Sequence, residues 1–269
     1  MEDTSLDTLY SRLQAQPYER VVFPIPPSQI QEAVDAFFAF LKEDRSIKER
    51  IDLDIAPQHR RGEIGYRLRE ADDLYGDSKE FFHFHPIIFD HYADFLAMNP
   101  VVAHFMACAR PLWEATTTIV QDMMQNLDQD FPGAYARIFD ASPVHVILRF
   151  LKYDWAACGA YLAKPHYDAG SFTLAIAESC EGLRMGTLPE NLAPLMHVPG
   201  QALFMVSSNY GKILDGAEIA PAWHDVIQMD ETKVGKPFSR WAVVAFVDGH
   251  GVEALSRAET RKWYIAQTL

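Results

Sequence analysis

The chain has 269 residues, 49% of them hydrophobic and 23% charged, with a formal net charge of −13. That length and composition exclude a disordered or collagen-like chain and suffice for one domain that buries its core without staples. The acidic balance excludes an electrostatic nucleic-acid binder and a protein drawn to anionic membrane surfaces, because both need Lys and Arg against phosphate.

The first residues, Met1 to Ser5, offer no basic stretch followed by an apolar one, so no secretory signal is expected. A helix is predicted to start at Ser28, which with Gln31 forms a capping box. Ile30, Val34, Phe37, Phe38 and Leu41 then recur at helical spacing and give one apolar stripe. Asn99-Pro100 reads as a cap followed by Pro in the first turn. From Pro111 to about Leu127 the composition predicts a second long helix, which Pro111 separates from the helix before it.

From Val144 the pattern changes to short β-branched and aromatic runs. Strands are predicted at Val144 to Tyr153, Ser171 to Ala177, Gly182 to Met185, Ala202 to Val206, Val226 to Met229 and Arg240 to Val247. Gly, Pro, Asn and Asp punctuate the gaps. Many short strands in so few residues suggest two sheets wrapped as a jelly roll. The fold class expected is α+β: residues 1–143 as helices packed on an all-β core of residues 144–269, the two forming one integrated unit. The longest apolar run near the C-terminus, Trp241 to Val247, is seven residues, against about 20 for a membrane helix, so no membrane partner is expected. Cys108, Cys158 and Cys180 are an odd number at long spacings, which predicts three free thiols and a cytoplasmic location.

His166-Tyr167-Asp168 is the first candidate for chemistry. Two ligands separated by one residue on extended chain share a face. A distant His would complete two imidazoles and one carboxylate, a set that suits non-haem Fe(II) and leaves coordination positions open. Alone, a His-x-Asp is common enough by chance to be a core His beside a turn Asp. The distal candidates are His197, His224 and His250. His197 precedes a Val-Pro-Gly turn, His250 lies past the last strand, and His224 opens a strand. Arg240 follows at the head of an apolar strand whose Ala242, Val244 and Phe246 share its face. Such an Arg is either an exposed residue at a strand end or, alone at the mouth of an apolar barrel, one that calls for an anion, and its fork fits a carboxylate. His83-Phe84-His85 also has metal-pair spacing but sits among Phe residues, which favours packing.

His166-Tyr-Asp168-Ala-Gly170-Ser-Phe-Thr173, then Gly182-Leu-Arg184, then Val198-Pro-Gly200, then His224 and Arg240, in this order, resembles the Fe(II)/2-oxoglutarate-dependent oxygenases, and more narrowly their isopenicillin N synthase-like branch. A weaker match lies in Gly65-Tyr66 and Asp77 to Phe84. The resemblance implies a double-stranded β-helix with iron on His166, Asp168 and His224. It further implies that Arg240, with Tyr153, receives the distal carboxylate of 2-oxoglutarate, and that O2 oxidises an unactivated C–H bond of a small molecule with release of succinate and CO2. Three positions depart from the branch: Ala242 where a Ser is usual, Asp225 where an Arg follows the distal His, and Leu151 where an Asn is common. Ser239 is the neighbouring hydroxyl for the hydrogen bond that Ala242 cannot make. The rival expectations are an Fe(II) oxidase of the same branch that uses no 2-oxoglutarate and a non-catalytic jelly-roll binding protein. No pattern in the chain speaks to the oligomeric state or names the substrate.

Overall fold

The computed structural model describes residues 8–55, 63–70, 78–231, 236 and 238–252. The stripe of Ile30, Val34 and Phe37 winds into the helix Pro27–Phe40, whose N-cap is Pro26 and whose N-terminus has no side-chain cap. Pro27 opens it with a fixed φ and no N–H to satisfy, so the expected Ser28–Gln31 box does not form. Gln31 donates instead to Asp35 one turn on, at 2.8 Å. Pro111 does not separate two helices either. One helix, Pro100–Asp128, runs through it. The missing backbone bond costs stability in isolation, but buried residues on both sides, from Val102 to Leu127, hold one continuous face on the core.

Among the described residues the strands are β1 (Tyr18–Val22), β2 (Asp52–Asp54), β3 (Glu63–Arg69), β4 (Lys79–Phe84), β5 (Val146–Tyr153), β6 (Tyr161–His166), β7 (Phe172–Glu178), β8 (Leu183–Gly186), β9 (Ala193–Pro194), β10 (Gln201–Val206), β11 (Trp223–Ile227) and β12 (Arg240–Val247). They form a large sheet, β1-β10-β7-β12-β5-β4-β3-β2, and a small one, β6-β11-β8-β9. Every ladder is antiparallel. β1 to β4 precede residue 144, so the first part of the chain is not only helical: it adds four strands to the large sheet. β1, Tyr-Glu-Arg-Val-Val, carries too little apolar alternation to announce itself.

Side chains of the large sheet alternate between two interiors. Phe82 and Phe150 face the helices and join Phe37, Phe40 and Phe105 in an aromatic cluster with ring centroids 5.1–5.8 Å apart. Phe81, Leu151, Tyr153 and Met205 of the large sheet face the small one, where they meet Leu162 and Leu183. The result is the jelly-roll sandwich expected, with helices on one outer face and a second interior between the sheets. No helix among the described residues is long and apolar enough to cross a membrane.

Candidate metal centre

His166 ends β6 and His224 lies in β11 directly opposite it in the ladder. β6 is absent from the sequence prediction because Lys164-Pro165 breaks its pattern. Pro is tolerated there because β6 is an edge strand of the small sheet. Asp168 follows in the connection to β7, which crosses from the small sheet to the large one.

The three side chains converge, with one donor atom from each within 4.8 Å of the others. His166 Nε2 lies 3.8 Å from Asp168 Oδ1, and His224 Nε2 lies 3.9 Å from Asp168 Oδ2. Each ring is oriented from behind: His166 Nδ1 lies 2.7 Å from the Lys164 carbonyl and His224 Nδ1 3.0 Å from the Ala222 carbonyl. A carbonyl only accepts, so each Nδ1 carries the proton and each Nε2 turns a lone pair to the centre. Burial, reinforced by His224, pushes the His166 pKa down to about 3, so the ring is neutral at physiological pH. Thr173 Oγ1 donates to Asp168 Oδ2 at 2.8 Å and fixes the carboxylate. Two imidazoles and a carboxylate, each held by a further hydrogen bond, fit a divalent first-row metal with positions left open. His197 and His250 lie outside this cluster.

The triad lines a cavity between the sheets together with Lys79, Arg149, Tyr153, Glu178 and Arg240. Arg240 heads β12 opposite Tyr153 of β5 and is 2% exposed. Ala242, Val244 and Phe246 share its face and line the same cavity. One expectation is corrected here: Arg240 does not stand alone. Its Nη2 is paired with the Glu178 carboxylate. The reason is a register shift in the β12–β7 ladder between Val243 and Val244. Thr173 and Ala175 point into the cavity. Strict alternation would put Ala177 there next and Glu178 outside, but the bulge advances the strand by one residue and turns Glu178 in. The pair leaves Arg240 Nε and Nη1 buried without a hydrogen bond, which is costly until an acceptor arrives. Burial pulls the Arg240 pKa down to about 10, and it stays charged at neutral pH.

Ser239 does not replace the hydroxyl missing at Ala242. Its Oγ donates to the Asp154 carbonyl at 3.0 Å, and it is not part of the cavity wall. Asp225, the departure beside His224, points to the opposite face of β11, where Arg184 of β8 meets it through two hydrogen bonds of 2.9 and 2.5 Å. Leu151 lines the cavity as apolar wall. Trp223 is buried against Tyr167, ring centroids 4.7 Å apart, and is packing. Tyr161 and Lys164 do not line the cavity. His83 and His85 belong to no group of three or more candidate metal ligands among the described residues. His85 lies 3.1 Å from the Val144 carbonyl, accepts from the Ile87 amide and packs edge-on against Trp113.

Sequence reasoning missed Thr173 as support for Asp168, and it missed Arg149 and Glu178. Arg149 was findable, since it stands four residues before Tyr153 on the same strand face. Glu178 was not, because only the bulge turns it inward.

No protein-family model and no curated protein sequence matches the chain. Solved structures do. Dioxygenase for auxin oxidation 1 from Arabidopsis thaliana, in its 2-oxoglutarate complex, is 14% identical, covers 92% of this chain and 90% of its own, and superposes with a TM-score of 0.66. A Neurospora crassa protein solved with alpha-KG (2-oxoglutarate) and thymine is 14% identical, with coverage of 97% and 91% and a TM-score of 0.65. A Caulobacter crescentus protein assigned to the 2OG-Fe(II) oxygenase family is 17% identical, with coverage of 97% and 93% and a TM-score of 0.61. The fold is therefore the double-stranded β-helix that these oxygenases share.

Proposed function

We propose that this chain is an Fe(II)- and 2-oxoglutarate-dependent oxygenase that hydroxylates an unactivated C–H bond of a small molecule, with release of succinate and CO2. The observation that carries the reading is one cavity with a His166–Asp168–His224 donor set on one wall and a buried Arg240 beside Tyr153 on another. Bound iron would supply O2 activation and the oxidation of the C–H bond. The rest falls to the chain's own side chains. His166, Asp168 and His224 would hold the metal, with Thr173 and two backbone carbonyls keeping the donors aimed. Arg240 would receive the distal carboxylate of 2-oxoglutarate on the nitrogens that now lack an acceptor, and Tyr153 would hydrogen-bond the same group. The apolar walls, Leu151, Leu183 and Val244 among them, exclude bulk water from the oxidation.

One observation favours a second reading. Glu178 already satisfies part of Arg240, as it would in an Fe(II) oxidase that takes no 2-oxoglutarate. Anaerobic titration of the Fe(II)-loaded protein with 2-oxoglutarate separates the two. A visible metal-to-ligand charge-transfer band, saturating at one equivalent, is the expected result. Bound iron with no band at millimolar 2-oxoglutarate would overturn the reading and leave the oxidase.

A further inference from the structure

Two helices of the outer layer bring a second set of metal-binding side chains together. His104 and Cys108 stand one turn apart on the Pro100–Asp128 helix and share a face of it. Glu32 reaches them from the Pro27–Phe40 helix. One donor atom from each residue, a ring nitrogen, a thiol sulfur and a carboxylate oxygen, lies within 4.8 Å of the other two. Among the described residues, no ion pair engages Glu32, and His104 and Cys108 meet only each other through their polar atoms.

The spacing suits a small tetrahedral ion. Bonds of about 2.3 Å to sulfur and about 2.0–2.1 Å to nitrogen, at a tetrahedral angle, put the two donor atoms about 3.6 Å apart. Cys108 Sγ lies 3.8 Å from both ring nitrogens of His104, so a small turn of that exposed ring aims either nitrogen at a shared centre. Cys108 is half-buried and packs against the core, which fixes its position while the sulfur keeps its open side. Ala36 and Ala39 wall the groove beside Glu32 and His104, and side chains this small leave room for an ion and its water. Burial and the Glu32 carboxylate both push the Cys108 thiol pKa up, the mark of a spot that holds a second negative charge poorly until a cation joins it. Sulfur, nitrogen and oxygen donors together favour a borderline ion that accepts all three, and three protein ligands leave one position for water. We propose that Glu32, His104 and Cys108 form a zinc site that clasps the two outer helices, with the thiol proton released to solvent as the Zn–S bond forms. The site lies outside the cavity between the sheets and does not depend on the oxygenase reading.

The test uses the full chain, stripped by chelator and titrated anaerobically with Co(II) as the coloured stand-in for Zn(II). A near-ultraviolet sulfur-to-cobalt charge-transfer band should rise and saturate. It should be absent in Cys108→Ser and unchanged in Cys158→Ser, Cys180→Ser and Asp168→Ala, since the His166–Asp168–His224 triad offers no sulfur. His104→Ala and Glu32→Gln should each weaken cobalt binding at this band by about tenfold or more, the loss that even removing a residue behind a metal ligand brings. An equal concentration of Zn(II) should bleach most of the band, whereas Mn(II), which prefers oxygen donors and reports on the triad, should leave it intact. The three substituted residues are exposed or half-buried, so the variants keep the fold. No band in wild type, a band that survives Cys108→Ser, wild-type affinity in either His104→Ala or Glu32→Gln, or a band that Zn(II) does not bleach overturns the proposal.

Discussion

A single bulge residue changes what Arg240 is. With Glu178 turned inward, the guanidinium is held in an ion pair, and in the proposed function a co-substrate carboxylate would have to share it. Two substitutions should then act in opposite directions. Arg240→Ala removes the partner of a buried carboxylate, which costs about 3–5 kcal/mol. At about 1.4 kcal/mol per factor of ten, 2-oxoglutarate affinity should fall several hundred-fold, with Arg240→Lys recovering only part. Glu178→Gln removes the internal competitor, so 2-oxoglutarate should bind more tightly while the unliganded protein melts lower, its Arg240 now unpaired. Calorimetric affinities and melting curves for both variants check this; weaker binding in Glu178→Gln would show that Glu178 supports the co-substrate instead. His85 is a second buried titratable group. Burial pushes its pKa down to about 4, against about 6.5 for an unfolded His. As pH falls the unfolded chain takes the proton first, so this contribution is complete above about pH 6.5 and lost on the way to pH 4. At about 1.36 kcal/mol per unit the loss reaches roughly 3 kcal/mol. Urea midpoints at pH 7.5 and pH 5 should converge in His85→Asn relative to wild type; equal slopes in the two proteins would refute the assignment.

Elements are tied together by the residues they share. The Pro100–Asp128 helix touches the Pro27–Phe40 helix and the outer face of the large sheet through Phe105, which is fully buried and contacts Phe37, Phe40, Phe82 and Phe150. Phe105→Ala should cost about 3–5 kcal/mol, because the ring's transfer energy is lost and four rigid aromatic neighbours leave a cavity that cannot collapse. Chemical denaturation reads this directly, and a loss under 1 kcal/mol would mean that the helix layer repacks. The substitution lies on the far side of the sheet from the cavity, so metal affinity should survive it. β8 is fixed differently. Gly182 precedes it at φ +132°, and a Cβ there would lie 2.3 Å from the Ile227 carbonyl, so only glycine lets β8 approach β11 this closely.

At the scale of the molecule, the two halves of the candidate site belong to different sheets. His166 and His224 are supplied by the small sheet, Arg240 and Tyr153 by the large one, and Asp168 by the connection between them. A metal bound to the triad therefore ties the small sheet to the inter-sheet connection and should stabilise the whole fold. At a hundredfold excess over its Kd, a divalent metal adds about 2.7 kcal/mol, read as a rise in Tm. The rise should vanish in His166→Ala, Asp168→Ala and His224→Ala and persist in His197→Ala and His250→Ala. A rise that survives Asp168→Ala, or is lost in His197→Ala, would move the metal elsewhere. No disulfide joins Cys108, Cys158 or Cys180, so thiol titration of denatured, unreduced protein should find three.

The sequence by itself determined the elements whose periodicity is strong and local. The stripe from Ile30, the run from Val146 to Tyr153 and the strand from Arg240 to Val247 were legible because alternation or helical spacing is written in consecutive residues. The residues His166, Asp168 and His224 could be named as candidates in the same way, since the spacing of a His-x-Asp and the order of later motifs are linear features. What was not legible depended on neighbours far along the chain. β1 and β6 are strands because β10 and β11 accept their hydrogen bonds, and neither has a pattern that demands it. Pro111 sits inside a helix because the core holds both sides of it. Whether Glu178 faces solvent or Arg240 turns on one residue of register, a quantity set by pairing between β7 and β12 and stored in neither strand alone. Tertiary structure decided these points because hydrogen-bond register and burial are properties of pairs of segments, and a chain read residue by residue contains only one member of each pair at a time.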